Sequence, residues 1–113
     1  MVDLNVYDLK EHLEKRISKE ILAYTQKDII TFTCDQLFKL EFSNKDNIFL
    51  IQNFHTYKRE CGYGRKIINA LRDYLSINMF DYIKLIEINP DSLGFWQKLG
   101  AYYYDENDYL IDI

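Results

Sequence analysis

The stretch FHTYKRECGYGRKII, Phe54 to Ile68, lies between an apolar run of strand length and an amphipathic helix. Gly62 and Gly64 are separated by a single residue. Glycine lets a backbone approach a ligand closely, because no Cβ stands in the way. The helix behind them starts with unpaired N–H groups and a partial positive charge. Lys58, Arg59, Arg65 and Lys66 gather further positive charge there, in a chain whose net charge is −4. Together these features describe an anion site of pyrophosphate kind. Tight turns use the same glycines, so the residue pattern alone leaves a plain turn open as well.

The flanking segments place this loop in a β-α-β unit. Asn47–Phe54 reads as the strand before it, and Arg65–Asn78 as the helix after it, with Ile67, Ile68, Leu71, Tyr74 and Leu75 on one stripe. Tyr82–Ile88 is the next apolar run of strand length. Such a unit pairs its two strands in parallel through a right-handed crossover. Upstream, Ile29–Thr33 and Gln36–Phe42 are separated by short polar breaks, which join only antiparallel neighbours. Within the second of these, Leu37, Leu40 and Phe42 alternate with Lys39 and Glu41, leaving Phe38 as the misfit. An amphipathic helix is expected from Tyr7 to Tyr24, with Leu9, Leu13, Ile17 and Ile21 four apart. Its Glu11–Lys15 and Arg16–Glu20 pairs belong to a solvated face. Downstream, Asn89-Pro90 opens a short helix with Leu93, Trp96 and Leu99 inward and Gly100 as its stop. Ala101–Asp105 and Asp108–Ile113 form a closing hairpin around Glu106-Asn107. The order is α-β-β-β-α-β-α-β-β, an α+β fold with a mixed, mostly antiparallel sheet flanked by helices.

Composition bounds the rest. A chain of 113 residues, 48% hydrophobic and with one Pro, fits a single domain spanning residues 1–113 around one core. Ten Tyr and seven Phe supply much of that core and favour strands. The mixed charges give no whole-molecule attraction for nucleic acid or for an anionic membrane. Cys34 and Cys61 are too few for a disulfide framework and match no metal spacing, so no metal is expected. Free thiols, the lack of a signal-peptide pattern at Met1–Val6 and the lack of a long apolar span make a cytoplasmic protein the expectation. The aromatic tail ending in Leu110-Ile111-Asp112-Ile113 is a candidate for pairing at a sheet edge with a second copy, giving a homodimer.

Two motifs carry a resemblance to a known family. Arg59-x-x-Gly62-x-Gly64 resembles the Arg/Gln-x-x-Gly-x-Gly/Ala signature of the GNAT superfamily of acyl-CoA-dependent N-acyltransferases. Asn89, Ser92, Trp96 and Lys98-Leu99-Gly100 are similar, in register, to that family's N-x-x-A-x-x-x-Y-x-K-L-G-F. The resemblance covers about Ile29 to Tyr104, and the family's usual first strand and second N-terminal helix look shortened or missing. It implies a GNAT-like mixed sheet and transfer of an acetyl group from acetyl-CoA to a primary amine by direct attack. By the same resemblance, backbone groups of Asn53 and Phe54 would hold the pantetheine arm and the thioester carbonyl. The parting of their strand from Tyr82–Ile88 would make the slot. The loop Arg59, Glu60, Cys61, Gly62, Tyr63 and Gly64, with Arg65 and Lys66, would meet the pyrophosphate. Asn89 would lie near the pantetheine or act simply as a helix cap.

The catalytic groups depart from the family pattern. Trp96 stands where the family usually has a Tyr that protonates the departing thiolate, and an indole N–H is no general acid at neutral pH. Tyr102, Tyr103 or Tyr104 can take that role, with Tyr103 the candidate; core packing is the other reading of three tyrosines in a row. The early Glu base of the strand is missing at Asn47-Ile48, which leaves His55 and Gln52 as the nearest polar candidates, His55 foremost. Cys61 beside a helix N-terminus and Arg side chains is either a reactive thiol or a small residue tolerated in a loop. The alternative to an enzyme is a non-catalytic GNAT-like domain that senses acyl-CoA or docks a protein.

Overall fold

Asn5 opens the first helix, α1 (Val6–Ile17), by accepting the Asp8 amide on its side chain at 3.1 Å. Leu9, Leu13 and Ile17 are buried, as their spacing requires. The structure is a computed structural model that describes residues 4–57 and 62–113. Lys58, Arg59, Glu60 and Cys61 of the glycine loop lie outside the described residues.

The helix stops well before the expected end at Tyr24. Ser18 takes a left-handed conformation and donates its N–H to the Glu14 carbonyl at 2.8 Å. The Glu14 carboxylate accepts the Ile21 amide at 2.7 Å. That bond turns the chain, and Leu22–Gln26 becomes a strand, β1, paired antiparallel with β2 (Ile29–Cys34). Sheet pairing of Tyr24 and Thr25 outweighs the helical spacing that ran on through Ile21. Arg16 accordingly meets Asp73 of the next helix at 3.0 Å rather than Glu20. Both partners are exposed, so the pair contributes at most about 1 kcal/mol.

Strands β3 (Phe38–Lys45), β4 (Ile48–Thr56), β5 (Tyr82–Leu85), β6 (Tyr102–Asp105) and β7 (Asp108–Asp112) complete a seven-stranded sheet in the order β1-β2-β3-β4-β5-β7-β6. β4 and β5 run parallel, joined through helix α2 (Tyr63–Ile77), and the other neighbouring pairs are antiparallel. The fold is therefore α+β with a mixed, mostly antiparallel sheet. The expected order of elements holds, with β1 added ahead of the meander.

On β3, Phe38, Leu40 and Phe42 are buried and alternate with Lys39 and Glu41. Phe38 is thus in phase; Leu37, buried just ahead of the strand, is the residue outside the alternation. Phe42 meets Phe32 edge-on at 4.9 Å and stacks on Phe49 at 4.8 Å. Against this face α2 buries Ile67, Ile68, Ala70, Leu71, Tyr74 and Leu75, and α3 (Leu93–Lys98) buries Trp96. The opposite face keeps Leu22, Tyr24, Tyr82 and Tyr102 exposed, and no helix among the described residues lies over it. The tail considered for edge pairing, Leu110–Ile113, is interior. β7 has β5 on one side and β6 on the other, so the edges are β1 and β6.

Two measurements check this core. Phe42→Ala should cost about 3–5 kcal/mol in urea unfolding, because both ring contacts and the transfer of a fully buried side chain are lost. Burial pushes the Cys34 thiol above its ordinary range, opposed by Lys19 and helped by Asp35 and Glu14. The folded state therefore resists losing that proton. Its contribution is intact below the unfolded thiol's value and is lost as pH rises from about 8.5. Cys34→Ala should make stability less steeply dependent on pH in that range.

Candidate functional site

The site is made where β4 and β5 part. Their parallel pairing runs from Ile48↔Tyr82 to Ile51↔Leu85, and the Ile86 amide donates to the Ile51 carbonyl at 3.1 Å just beyond. β4 then bulges: Ile51 lies opposite Phe42 and Asn53 opposite Glu41, leaving Gln52 unmatched. Beyond the bulge β4 stays with β3 as far as Thr56. The other chain leaves, its Glu87 amide bonding the Asp108 carboxylate at 3.1 Å and its Ile88 amide the Asn107 carbonyl at 3.3 Å. This is why β5 ends at Leu85 instead of the expected Ile88. Between the two lies a cleft of about 680 Å³, walled by β4, the start of α2, residues 85–89 and α3. The backbone of β4 after Ile51 has no strand partner on that side.

The start of α2 closes one end. Gly62, at φ 73, precedes the helix without a side-chain cap. The first helical bond is Lys66 N–H to the Gly62 carbonyl at 3.1 Å, so the amides of Tyr63, Gly64 and Arg65 are not used by the helix. No acidic side chain occupies the first turn, unlike α1 with its Asp8. Gly62, Tyr63, Gly64 and Arg65 all line the cleft. Gly64 is also a packing residue: a Cβ there would stand 3.1 Å from the Phe95 ring and 3.5 Å from Thr56 Cγ2. The floor is aromatic. Phe54 lies 6.3 Å from Phe95 and 5.8 Å from Trp96, which meet edge-on at 5.0 Å.

The structure brings Asn53, Phe54, His55, Gly62, Tyr63, Gly64, Arg65 and Asn89 to one cleft. Asn53 donates its side-chain amide to Glu41 at 3.1 Å. His55 is exposed, with Tyr57 edge-on at 4.7 Å. Asn89 caps the turn Pro90–Ser92, its Oδ1 accepting the Asp91 amide at 3.0 Å. Its two expected roles are thus compatible, since the capping residue also lines the cleft. Lys66 is the exception on α2, outside the lining residues and with its amide inside the helix. Arg59, Glu60 and Cys61 lie outside the described residues.

Tyr103 stands elsewhere. It sits on the outer strand β6, 62% exposed, with its ring edge-on to Tyr109 at 5.9 Å. Tyr102 and Tyr104 are exposed as well, so core packing does not account for the three tyrosines either. The reason is topological: β6 is an edge, and a bulge at Tyr104 puts that ring beneath Lys84 Nζ, 5.2 Å away. Trp96 is buried against Phe54. Two features went unread in the sequence, the packing of Phe95 on Gly64 and the bulge at Gln52. The bulge has a signal, because Gln52-Asn53 puts two polar residues in succession where a strand alternates.

A mixed sheet that splits between parallel strands, with a glycine turn and helix start at the split, is the GNAT fold, and this chain has it. No family model and no curated protein sequence matches the chain. Among solved structures, Gcn5 of Tetrahymena superimposes with a TM-score of 0.65 at 12% identity, over 96% of this chain and 86% of that one. The ribosomal-protein-S18-alanine N-acetyltransferase of Escherichia coli gives 0.61 at 16%, over 100% and 93%. The E. coli protein YhhK, solved bound to coenzyme A, gives 0.58 at 11%, over 98% and 93%. Among the described residues no group of acidic, His or Cys side chains is placed to hold a metal, and no helix is long and apolar enough to cross a membrane.

The glycines separate two effects. Gly62→Ala meets open space but a left-handed backbone, and should cost about 1–2 kcal/mol from strain alone. Gly64→Val meets the Phe95 ring and should cost about 1–3 kcal/mol from overpacking. Adding Phe95→Ala should recover part of the second loss and none of the first, as read from thermal or urea unfolding.

Proposed function

We propose that this protein is an N-acetyltransferase that takes the acetyl group of acetyl-CoA and places it on a primary amine. One observation carries the reading: the cleft between β4 and β5 ends on helix amides that the helix itself leaves unused. The residues present fit the cofactor. Gly62 and Gly64 offer a cradle without side chains, Arg65 adds charge, and the cleft has the volume for a pantetheine arm. The fold neighbours support it, one of them solved with coenzyme A.

In this reading the amides of Tyr63, Gly64 and Arg65 meet the pyrophosphate; the family resemblance implies the same of the backbone amides of Arg59, Glu60 and Cys61, with Lys66 adding positive charge from outside the cleft lining. The unpaired backbone of β4 at Asn53 and Phe54 takes the arm as a strand would, and Asn89 borders it from the other wall. Bound there, acetyl-CoA supplies an activated thioester carbonyl. His55 on the cleft wall accepts the amine's proton, a role open to the lone pair of a neutral imidazole. Tyr103 plays no part, standing outside the cleft. Orientation of a neutral amine beside the thioester supplies most of the acceleration. The buried free thiol of Cys34 suits a reducing compartment such as the cytoplasm.

One observation favours a second reading, an acyl-CoA sensor without turnover. Trp96 is buried where a phenol would serve as acid. The two diverge in a thiol-release assay with acetyl-CoA and a panel of primary amines. The enzyme should release CoA with at least one amine, and Gly62→Trp should abolish release. Thermal stabilisation by acetyl-CoA without release on any amine would support the sensor. For His55→Asn, kcat should fall about 10²–10⁴-fold while acetyl-CoA affinity by calorimetry stays unchanged.

A further inference from the structure

Gln52 occupies a position with an unmet chemical demand. It is the bulged residue of β4, set immediately after the carbonyl of Ile51 that holds the departing chain. Its side chain lies on the sheet face shared with Ser43, Glu41 and Asn53, to which its Nε2 is tied by donating to Ser43 Oγ at 3.0 Å. Its Oε1 is shut off from solvent and has no hydrogen-bond partner among the described residues. A buried amide oxygen without a donor costs about 1–3 kcal/mol. At a cleft, such a group is a ready acceptor for whatever donor the ligand brings. Gln52 itself lines the cleft, and the terminal torsion of a glutamine is broad, so its amide can give up Ser43 and turn towards a ligand there.

The ligands offer two kinds of donor, an amide of the pantetheine arm and the incoming amine. The sheet decides between them. The helix starts and the aromatic floor of Phe54, Phe95 and Trp96 lie on the helix-covered face, where the glycine cradle sits. Gln52 lies on the opposite, uncovered face, the side left open for a second substrate. A neutral primary amine carries two N–H donors and one lone pair. An acceptor at the fork that takes one N–H fixes the nitrogen while leaving its lone pair free.

We propose that Gln52 Oε1 is the hydrogen-bond acceptor that seats the amine substrate at the fork of β4 and β5. The assignment rests on the acetyl-transfer reading above. Its test uses the whole chain, with spermidine, tryptamine and a lysine-containing peptide as amines, and the one with the highest turnover carried forward. Gln52→Leu should raise KM for that amine about tenfold. It should leave kcat within about threefold and acetyl-CoA affinity by calorimetry within about twofold, both small against a tenfold effect. The substitution removes an orphaned oxygen and the Nε2–Ser43 bond together, opposing effects of similar size, so the ligand-free variant should melt within about 5 °C of the wild type. Gln52→Glu keeps an acceptor and should bring KM back to within about threefold.

An unchanged amine KM in Gln52→Leu would overturn the assignment. So would a loss of acetyl-CoA affinity in its place, which would give Oε1 to the pantetheine arm. A melting temperature lower by more than about 5 °C, with KM and kcat changing together, would reduce Gln52 to a packing residue. Absence of any heat of acetyl-CoA binding in the wild type, or binding without turnover on all three amines, would overturn the acetyl-transfer reading and this assignment with it.

Discussion

The bond from the Ile86 amide to the Ile51 carbonyl is where this molecule stops being a continuous sheet. Up to that point β4 and β5 satisfy one another's backbone groups. Beyond it β4 inserts an extra residue and stays with β3, and the other chain turns away to bond Asp108 and Asn107. An extended segment left without a partner is normally a liability. Here it is flanked by a cleft and by the start of α2, and the proposed function makes binding groups of its backbone at Asn53 and Phe54. Everything proposed for the site depends on this parting.

Aromatic side chains form the floor of the cleft. Phe54, Phe95 and Trp96 pack against one another, and the Phe95 ring crowds any side chain at residue 64. Gly64 therefore answers two demands at once, close helix packing and an unshielded amide. Gly62 answers a different one, the left-handed backbone that starts the helix. The spacing of the two glycines is set by packing and conformation as much as by any ligand. That is the physical reason a pattern of this kind is ambiguous when read alone.

How much was legible varies with how local the cause is. The stripes of α1 and α2, the glycine turn, the Asn89 cap, the Gly100 stop and the closing hairpin all follow from spacing and turn chemistry within a few residues. The end of α1 did not, because it depends on Glu14 reaching the Ile21 amide and on β2 offering a partner for Leu22–Gln26. Leu37 and Phe38 exchange roles, because the strand and its alternation begin at Phe38 and Leu37 is buried from the turn ahead of it. Tyr103 was assigned to the site on residue type; its place on the outermost strand is a matter of strand order.

By itself, then, the sequence determined the kinds of element, their order and the loop where an anion could sit. Those are properties of short-range periodicity and of glycine's conformational freedom. Tertiary structure alone decided which side chains share the cleft, which tyrosines stay outside it, and that Gln52 stands at the fork with an oxygen unsatisfied among the described residues. Strand order and the bulge at Gln52 are the main causes, and both arise from pairings between segments separated along the chain.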